Sequence, residues 1–142
     1  MIIPILNEDI REVPASVLAY IGDAVFELYV RLHVAARSRS KSGAIHRLAI
    51  GMVSAEAQAK IARAIIDMLS EDELAVFRRG KNSNPSSSSR NASPADYKYA
   101  TGMEAVIGYL FLTDQNERLD KILTRIFEIT EEQEGNEGQR TH

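Results

Sequence analysis

The chain has 142 residues and contains no cysteine, so one domain with a hydrophobic core is expected, and disulfide bonds and cysteine-based zinc sites are excluded. No apolar run reaches the roughly 18 residues of a membrane span, and the first residues lack the pattern of a secretory leader. With a formal net charge of −3, the composition predicts a soluble, cytoplasmic protein.

The charge is distributed unevenly along the chain. Residues 131–142 hold four glutamates against one arginine, which leaves the remainder close to neutral. Within that remainder, one basic segment contains Arg31, Arg37, Arg39, Lys41 and Arg47. A second contains Arg78, Arg79, Lys81, Arg90 and Lys98, opposed only by Asp96. Each segment alone is typical of a solvated surface, but the two together favour a polyanionic ligand.

Helical periodicity dominates the first half of the chain. Apolar residues recur with a period near 3.6 residues over 16–36 and again over 42–69. Gly51 or Ser54 is expected to break the second stretch, because glycine weakens a helix and serine caps one. The pattern therefore predicts a long first helix and an interrupted second one.

A third helix and a loop follow. Ser70 and Glu73 form a capping box, which predicts a helix start, and Gly80 is a typical C-terminal signal. Residues 81–92 are rich in serine and asparagine and are too polar to bury a core. We therefore expect a mobile basic loop over 81–92.

Two further helices complete the predicted domain. The first opens with Ser93 as its cap and Pro94 in the first helical position, and it extends to about residue 112. An amphipathic helix is expected from Asp114 onward, and the acidic tail over 131–142 is expected to be disordered. No segment has the pattern of a strand, so residues 1–130 are predicted to form one all-α domain of five or six helices.

Two of the apolar helices each carry one acid in a notch of small residues. In YIGDAVFELYV, Asp23 follows Gly22, and the residue one helical turn earlier is Ala19. In TGMEAVIGYLFL, Glu104 is the only acid, and the residue one turn later is Gly108. Small side chains at these positions allow another helix to come close, so the two acids are candidates for one site.

The acid pair admits two explanations at this point. A buried carboxylate without a partner costs several kcal/mol or shifts its pKa, and two facing carboxylates need a cation between them, for which Mg²⁺ is suited. Alternatively, Asp23, Glu27 and Arg31 form a partly exposed charge ladder worth a few tenths of a kcal/mol. The spacing alone leaves both explanations open.

The same two motifs resemble a known family. LAYIGDAVFELYV resembles the signature helix of the ribonuclease III catalytic domain, and TGMEAVIGYLFL resembles that family's second motif. The likeness covers about residues 14–130 and is greatest to the small bacterial Mini-ribonuclease III branch, which lacks a double-stranded-RNA-binding domain. The resemblance implies an all-α ribonuclease III endonuclease domain of five to seven helices that forms a homodimer.

The resemblance also implies an activity. By position, Asp23 and Glu104 match the family's catalytic, metal-binding acids, whereas Ser16, Ala19 and Thr101 stand where larger members carry further acids. The implied reaction is Mg²⁺-dependent endonucleolytic hydrolysis of double-stranded RNA, with Mn²⁺ as a substitute ion, leaving 5′-phosphate and 3′-hydroxyl ends. The implied role is maturation of the 23S ribosomal RNA precursor, with a ribosomal protein on the pre-ribosome as a further partner to consider.

Polar and basic residues of the predicted loop, and of the earlier basic segment as a second contact, are candidates for binding RNA phosphates. The expected RNA-binding residues are Arg78, Arg79, Lys81, Asn82, Arg90, Lys41, His46 and Arg47. Two other functions remain open: a non-catalytic double-stranded-RNA-binding or ribosome-assembly module on the same fold, and a helical protein-interaction module. Retention of both Asp23 and Glu104 favours the nuclease over either alternative.

Overall fold

In a computed structural model, the described part of the chain contains five α-helices. The structure describes residues 9–37, 52–83 and 93–140, and of 133–140 the backbone alone. The helices are α1 (Ala15–Arg37), α2 (Ala55–Ile65), α3 (Glu71–Lys81), α4 (Pro94–Leu112) and α5 (Asn116–Arg140), with short 3-10 turns at Ile10–Glu12 and Ile66–Met68. No strand occurs within these ranges, which confirms the predicted all-α class.

Helix α4 lies at the centre of the molecule, because it packs against α1, α2 and α3 and also contacts α5. Its apolar residues therefore face neighbours on most sides, and Met103, Ile107 and Leu110 are fully buried. From the other helices, Phe26 of α1 and Ile122 of α5 reach the same core. No helix in the described part of the chain is long and apolar enough to cross a membrane.

Helix α1 crosses α4 with the two backbones in direct contact. A Cβ atom on Gly22 would overlap the carbonyl oxygen of Glu104, and one on Gly108 would overlap the carbonyl oxygen of Leu18. Each helix thus supplies a glycine to the crossing. The close approach expected from the small residues beside the two acids is confirmed, and its location next to Asp23 positions the site described below.

The helix starts follow the sequence signals closely. The Ser54 hydroxyl accepts from the Ala57 N–H at 3.2 Å at the start of α2. Ser70 and Glu73 form the predicted capping box of α3, with the Ser70 N–H donating to the Glu73 carboxylate at 2.8 Å. Ser93 caps α4. Local hydrogen bonds therefore define these starts independently of packing.

Helix α3 ends within one residue of Gly80, as predicted, but Gly80 is not its C-terminal cap. The helix continues to Lys81, and Asn82 is its C-terminal cap. Gly80 is buried against α4, where an added Cβ would come within 3.1 Å of the Gly102 Cα. The glycine is therefore required by helix packing rather than by a left-handed backbone conformation.

The second correction concerns the C-terminal helix. Helix α5 starts at Asn116 rather than near Asp114, because Asp114 has a positive φ of 58° that places it in the turn before the helix. The helix then continues to Arg140 through the residues expected to form a disordered tail. Arg125 pairs with both Glu128 and Glu132, which stabilises the helix where the acidic segment begins. Residues 84–92 of the expected mobile loop lie outside the described residues.

A buried ion pair connects α3 to α5. Arg118 donates to both oxygens of Glu73 at 2.8 Å and to the Met68 carbonyl oxygen. Burial alone would raise the pKa of Glu73, but hydrogen bonds from Arg118 and from the Ser70 backbone outweigh it, so this pKa lies below its ordinary value. The capping carboxylate is thus fully satisfied and stays ionised.

Replacement of Gly22 by alanine tests the helix crossing. We expect Gly22→Ala to lower the free energy of unfolding by about 2–3 kcal/mol, because the added methyl group meets backbone that cannot rotate away. Chemical denaturation followed by circular dichroism measures the change. The matched control is Ala36→Ser, which adds one atom to an exposed position of α1 and should cost no more than about 0.5 kcal/mol. Equal stability of Gly22→Ala and wild type would contradict the described contact.

Candidate active site

An open pocket of about 670 Å³ lies where four helices meet. Its walls come from the first half of α1, the start of α2, the end of α3 and the first half of α4. The lining residues are Ser16, Ala19, Tyr20, Asp23, Val53, Ala55, Gln58, Ser83, Tyr97, Ala100, Thr101 and Glu104. Both predicted catalytic acids are among them.

The helix crossing brings Asp23 and Glu104 together. Gly22 contacts the backbone of Glu104, so the side chain of the next residue on α1 projects beside the Glu104 carboxyl group. Asp23 is exposed to the pocket, whereas Glu104 is only partly accessible. The two carboxyl groups are within hydrogen-bonding reach of each other. Burial, followed by the hydrogen bond with Asp23 and its charge, raises the pKa of Glu104 to about 9.

Among the residues that the structure describes, no positively charged side chain compensates this acid pair. Within the described ranges, neither Asp23 nor Glu104 forms an ion pair with a lysine, an arginine or a histidine. Those ranges also contain no group of three or more histidine, cysteine or acidic side chains that could hold a metal ion. A pair of carboxylates in an open pocket fits Mg²⁺, which is commonly bound by one or two carboxylates and completes its shell with water and phosphate oxygens.

The alternative charge ladder involves other residues. Arg31 donates to Glu27 at 2.7 Å, and both side chains are largely exposed on α1. Asp23, one turn earlier, does not take part in this pair. The expectation that Glu27 pairs with Arg31 is confirmed, and such an exposed pair contributes about 0.3–0.5 kcal/mol.

The predicted RNA-binding residues at the end of α3 differ in their surroundings. Arg78 is exposed. The guanidinium of Arg79 donates to the Val13 carbonyl oxygen at 2.9 Å, so this side chain also holds the N-terminal turn against α3. The ammonium of Lys81 lies 4.8 Å from the centre of the Tyr99 ring. Lys81 and Arg79 therefore each have a structural contact, and Arg78 is the most available of the three.

Of the remaining predicted contacts, the structure describes Asn82. Asn82 is exposed, and its backbone N–H caps α3. Ser83, the next residue, lines the pocket, so the end of α3 leads directly to the acid pair. Outside the described residues lie Arg90, Lys41, His46 and Arg47.

The structure adds residues that the sequence analysis missed. Gln58 and Tyr97 both line the pocket. Gln58 precedes Ile61 by three residues and Ile65 by seven, which places it on the inward face of α2. A polar residue at an inward position was the available signal. Tyr97 carries no such signal, because tyrosine is common at helix surfaces.

The fold and the site together define a class of protein. An all-α domain with two acids facing each other in an open polar pocket is typical of a metal-assisted hydrolase. Residues 16–115 match the family model described as the Ribonuclease III domain. These residues include both acids and every residue that lines the pocket.

Individual relatives define the branch. Mini-ribonuclease 3 of Clostridium tetani is 40% identical over 134 residues, covering 94% of this chain and 89% of that protein. Mini-ribonuclease 3 of Brevibacillus brevis is 42% identical over 115 residues, covering 81% and 86%. An X-ray structure of a Fusobacterium nucleatum protein superposes with a TM-score of 0.79 at 30% identity, covering 86% of this chain and 99% of that one. The chain belongs to the ribonuclease III family, in its Mini-ribonuclease 3 branch, and is an endoribonuclease.

Removal of one charge from the acid pair tests its electrostatic cost. The pKa of Glu104 rises from 4.5 to about 9 on folding, so the stability linked to its bound proton is present below pH 4.5 and is lost as the pH rises toward 9. Asp23→Asn removes part of the cause. We expect this variant to be more stable than wild type by about 1 kcal/mol in the presence of a chelator.

The gain from Asp23→Asn should be larger at pH 9 than at pH 5, because Glu104 is protonated at pH 5 and loses its proton only near pH 9, where two negative charges then face each other. Thermal unfolding at both pH values measures it. Glu27→Gln is the matched control on the same helix, since it removes a charge that is already paired with Arg31. A less stable Asp23→Asn at pH 9 would show that the two carboxyl groups do not repel each other.

Proposed function

We propose that this endoribonuclease cleaves double-stranded RNA, with Asp23 and Glu104 as its catalytic, metal-binding residues. The observation that carries the proposal is the facing acid pair, which has no cationic partner in the described ranges and lies in an open pocket. A non-catalytic binding module has no need for such a pair, which costs stability and repels RNA phosphates.

The cofactor that fits the pair is Mg²⁺, with Mn²⁺ as a substitute. Asp23 and Glu104 would hold it, and when bound it supplies an activated water and stabilises charge on the phosphate oxygens. The pocket walls add no further acid: Ser16 and Ala19 are small, and the Thr101 hydroxyl donates to the Tyr97 carbonyl oxygen at 2.9 Å. Water and RNA phosphate oxygens would therefore complete the coordination.

The substrate class follows from the family and from the charge distribution. An A-form duplex is bound mainly through phosphates and 2′-hydroxyl groups, so a basic surface beside the pocket suits it. At the end of α3, Arg78 and Lys81 supply positive charge close to Ser83 on the pocket wall. The expected products carry 5′-phosphate and 3′-hydroxyl ends. Arg90, Lys41, His46 and Arg47 remain predicted contacts.

The biological role that we propose is maturation of the 23S ribosomal RNA precursor in the cytoplasm. It rests on the resemblance to the Mini-ribonuclease 3 branch, to which relatives at up to 42% identity belong. A ribosomal protein on the pre-ribosome is a further proposed partner. Cleavage of a naked precursor transcript compared with the assembled particle would distinguish an RNA-only substrate from one that needs protein.

We also propose that the protein is a homodimer. Helix α1 exposes an apolar stripe of Val17, Tyr20, Leu28 and Leu32, with 37%, 82%, 56% and 56% of their surfaces accessible. These positions recur at helical spacing on one face, and apolar surface of this extent is typical of a protein interface. Tyr20 also lines the pocket, so the stripe adjoins the site. A second copy on this face would bring two pockets to one duplex.

Neutral substitutions of the two acids test catalysis. We expect Asp23→Asn and Glu104→Gln each to reduce the cleavage rate of a structured double-stranded RNA in Mg²⁺ by at least about 100-fold, while RNA binding is retained. Gel analysis of the products measures the rate, and Glu27→Gln is the matched control, which should cut normally. If wild type binds RNA but does not cut, the non-catalytic module is correct. Normal cutting by Asp23→Asn would remove this residue from the site.

A charge on the apolar stripe tests the dimer. We expect wild type to have twice the 15.8 kDa chain mass in sedimentation, and Leu28→Glu to shift toward the monomer because a carboxylate would be desolvated in the interface. Lys60→Glu, at an exposed position on α2, is the control and should remain dimeric. A monomeric wild type, or a dimeric Leu28→Glu, would show that this face is not the interface.

A further inference from the structure

Gln58 is a largely buried polar residue on the wall of the pocket. Only 4% of its surface is accessible. Its backbone N–H donates to the Ser54 carbonyl oxygen at 2.9 Å, as expected within a helix. Among the residues that the structure describes, the side-chain amide forms no hydrogen bond. Its polar atoms are not sealed in the core, so the amide can hydrogen-bond a molecule that enters the pocket.

The position of Gln58 shows where its partner must come from. The side chain borders the same pocket as Asp23 and Glu104, so it is not sealed inside the core. It is also held firmly, because Ile61 and Ile65 on the same face of α2 are fully buried. The amide is therefore available to solvent or to a molecule bound in the pocket.

The chemistry of the amide narrows the choice of ligand atoms. A glutamine side chain presents one acceptor oxygen and an NH₂ donor. Phosphate oxygens only accept hydrogen bonds, so a phosphate would leave the amide oxygen unsatisfied. A hydroxyl group both donates and accepts, so it can satisfy either end of the amide. The hydroxyl group beside every phosphate of an RNA strand is the ribose 2′-hydroxyl.

We propose that Gln58 is a positioning residue that hydrogen-bonds a ribose 2′-hydroxyl near the cleaved phosphate and so sets the register of the strand over Asp23 and Glu104. The proposal rests on the proposed function, namely that this pocket cleaves double-stranded RNA. It assigns to this side chain a role in distinguishing RNA from DNA. A site that hydrogen-bonds a substrate hydroxyl discriminates against an analogue that lacks it, because the buried polar group is then left unpaired.

The test combines a protein variant with single-atom changes in the substrate. A duplex RNA with a mapped cleavage site is compared with duplexes carrying one 2′-deoxy nucleotide at each nearby position in turn. Wild type, Gln58→Met and Gln115→Met are assayed for kcat/KM. Methionine keeps the volume and the burial of the glutamine side chain while removing its amide. Gln115 is exposed in the turn before α5, far along the chain from α2, and its replacement is the matched control.

We expect wild type to lose about five- to tenfold in kcat/KM at one 2′-deoxy position, as for one neutral hydrogen bond. On the all-RNA duplex, Gln58→Met should have a kcat/KM lower than that of wild type by about the same factor. A 2′-deoxy nucleotide at that position should not lower the kcat/KM of Gln58→Met further, because the two changes remove one interaction. Gln115→Met should behave as wild type throughout. A residue with a purely structural role would lower the rate on every duplex by the same factor.

Several outcomes would overturn the proposal. One is a wild type equally fast on every 2′-deoxy duplex; another is a Gln58→Met variant that keeps the full sensitivity of wild type at the same position. If Gln58→Met does not fold, Gln58→Asn keeps the amide but withdraws it by one methylene and should show the same lost sensitivity.

The binding of each duplex to Asp23→Asn, measured by fluorescence anisotropy, gives a readout without cleavage. It keeps the two proposals separate. If wild type does not cut, the proposed function is refuted. The hydroxyl contact would still be supported if a 2′-deoxy nucleotide weakens binding to Asp23→Asn but not to the double variant that also carries Gln58→Met. An unchanged 2′-deoxy effect in that double variant would refute the contact.

Discussion

The backbone contact between α1 and α4 is the constraint on which the site depends. Gly22 and Gly108 let the two helices touch without intervening side chains. The residue after Gly22 is Asp23, and the carbonyl group that Gly22 meets belongs to Glu104. The contact that builds the core therefore also brings the two acids face to face. Core packing and the geometry of the acid pair cannot be altered separately at this point.

Glu73 and Glu104 lie in opposite electrostatic environments. Glu73 accepts from Arg118 and from the Ser70 N–H, so its pKa is lowered and its charge stabilises the fold. Glu104 faces Asp23 with no cationic partner among the described residues, and its pKa rises to about 9. Glu73 connects α3 to α5, whereas Glu104 is kept in an electrostatically unfavourable environment that suits a ligand. A carboxyl group with a raised pKa in a pocket indicates a functional role, whereas a carboxylate paired with a cation indicates a structural role.

The success of sequence prediction depended on how local each signal was. Helix starts at Ser54, Ser70 and Ser93 were predictable because caps act over three residues. The acid pair was predictable from two motifs, but Gln58 was not, since its burial depends on how α2 lies over the pocket. Gly80 was misassigned because a glycine that ends a helix and one that packs against another helix look alike in sequence.

The extension of α5 to Arg140 is a further limit of composition, because acidic sequence is typical of disorder as well as of a solvated helix. Arg125 decides between the two here by pairing with Glu128 and Glu132. Such a pair can be predicted from the sequence only if the backbone is already assumed to be helical. Long-range and context-dependent contacts were therefore the part of the fold that the sequence left undetermined.

The small residues of the pocket wall have an evolutionary consequence. Ser16 and Thr101 border the cavity instead of the core, and neither touches the glycine crossing. The resemblance places additional acids at these positions in larger members of the family. Selection can therefore add or remove a carboxylate at the wall while every helix stays in place. In this architecture, the number of acids at the pocket wall is adjustable at Ser16 and Thr101, whereas the pair Asp23 and Glu104 is tied to the fold itself.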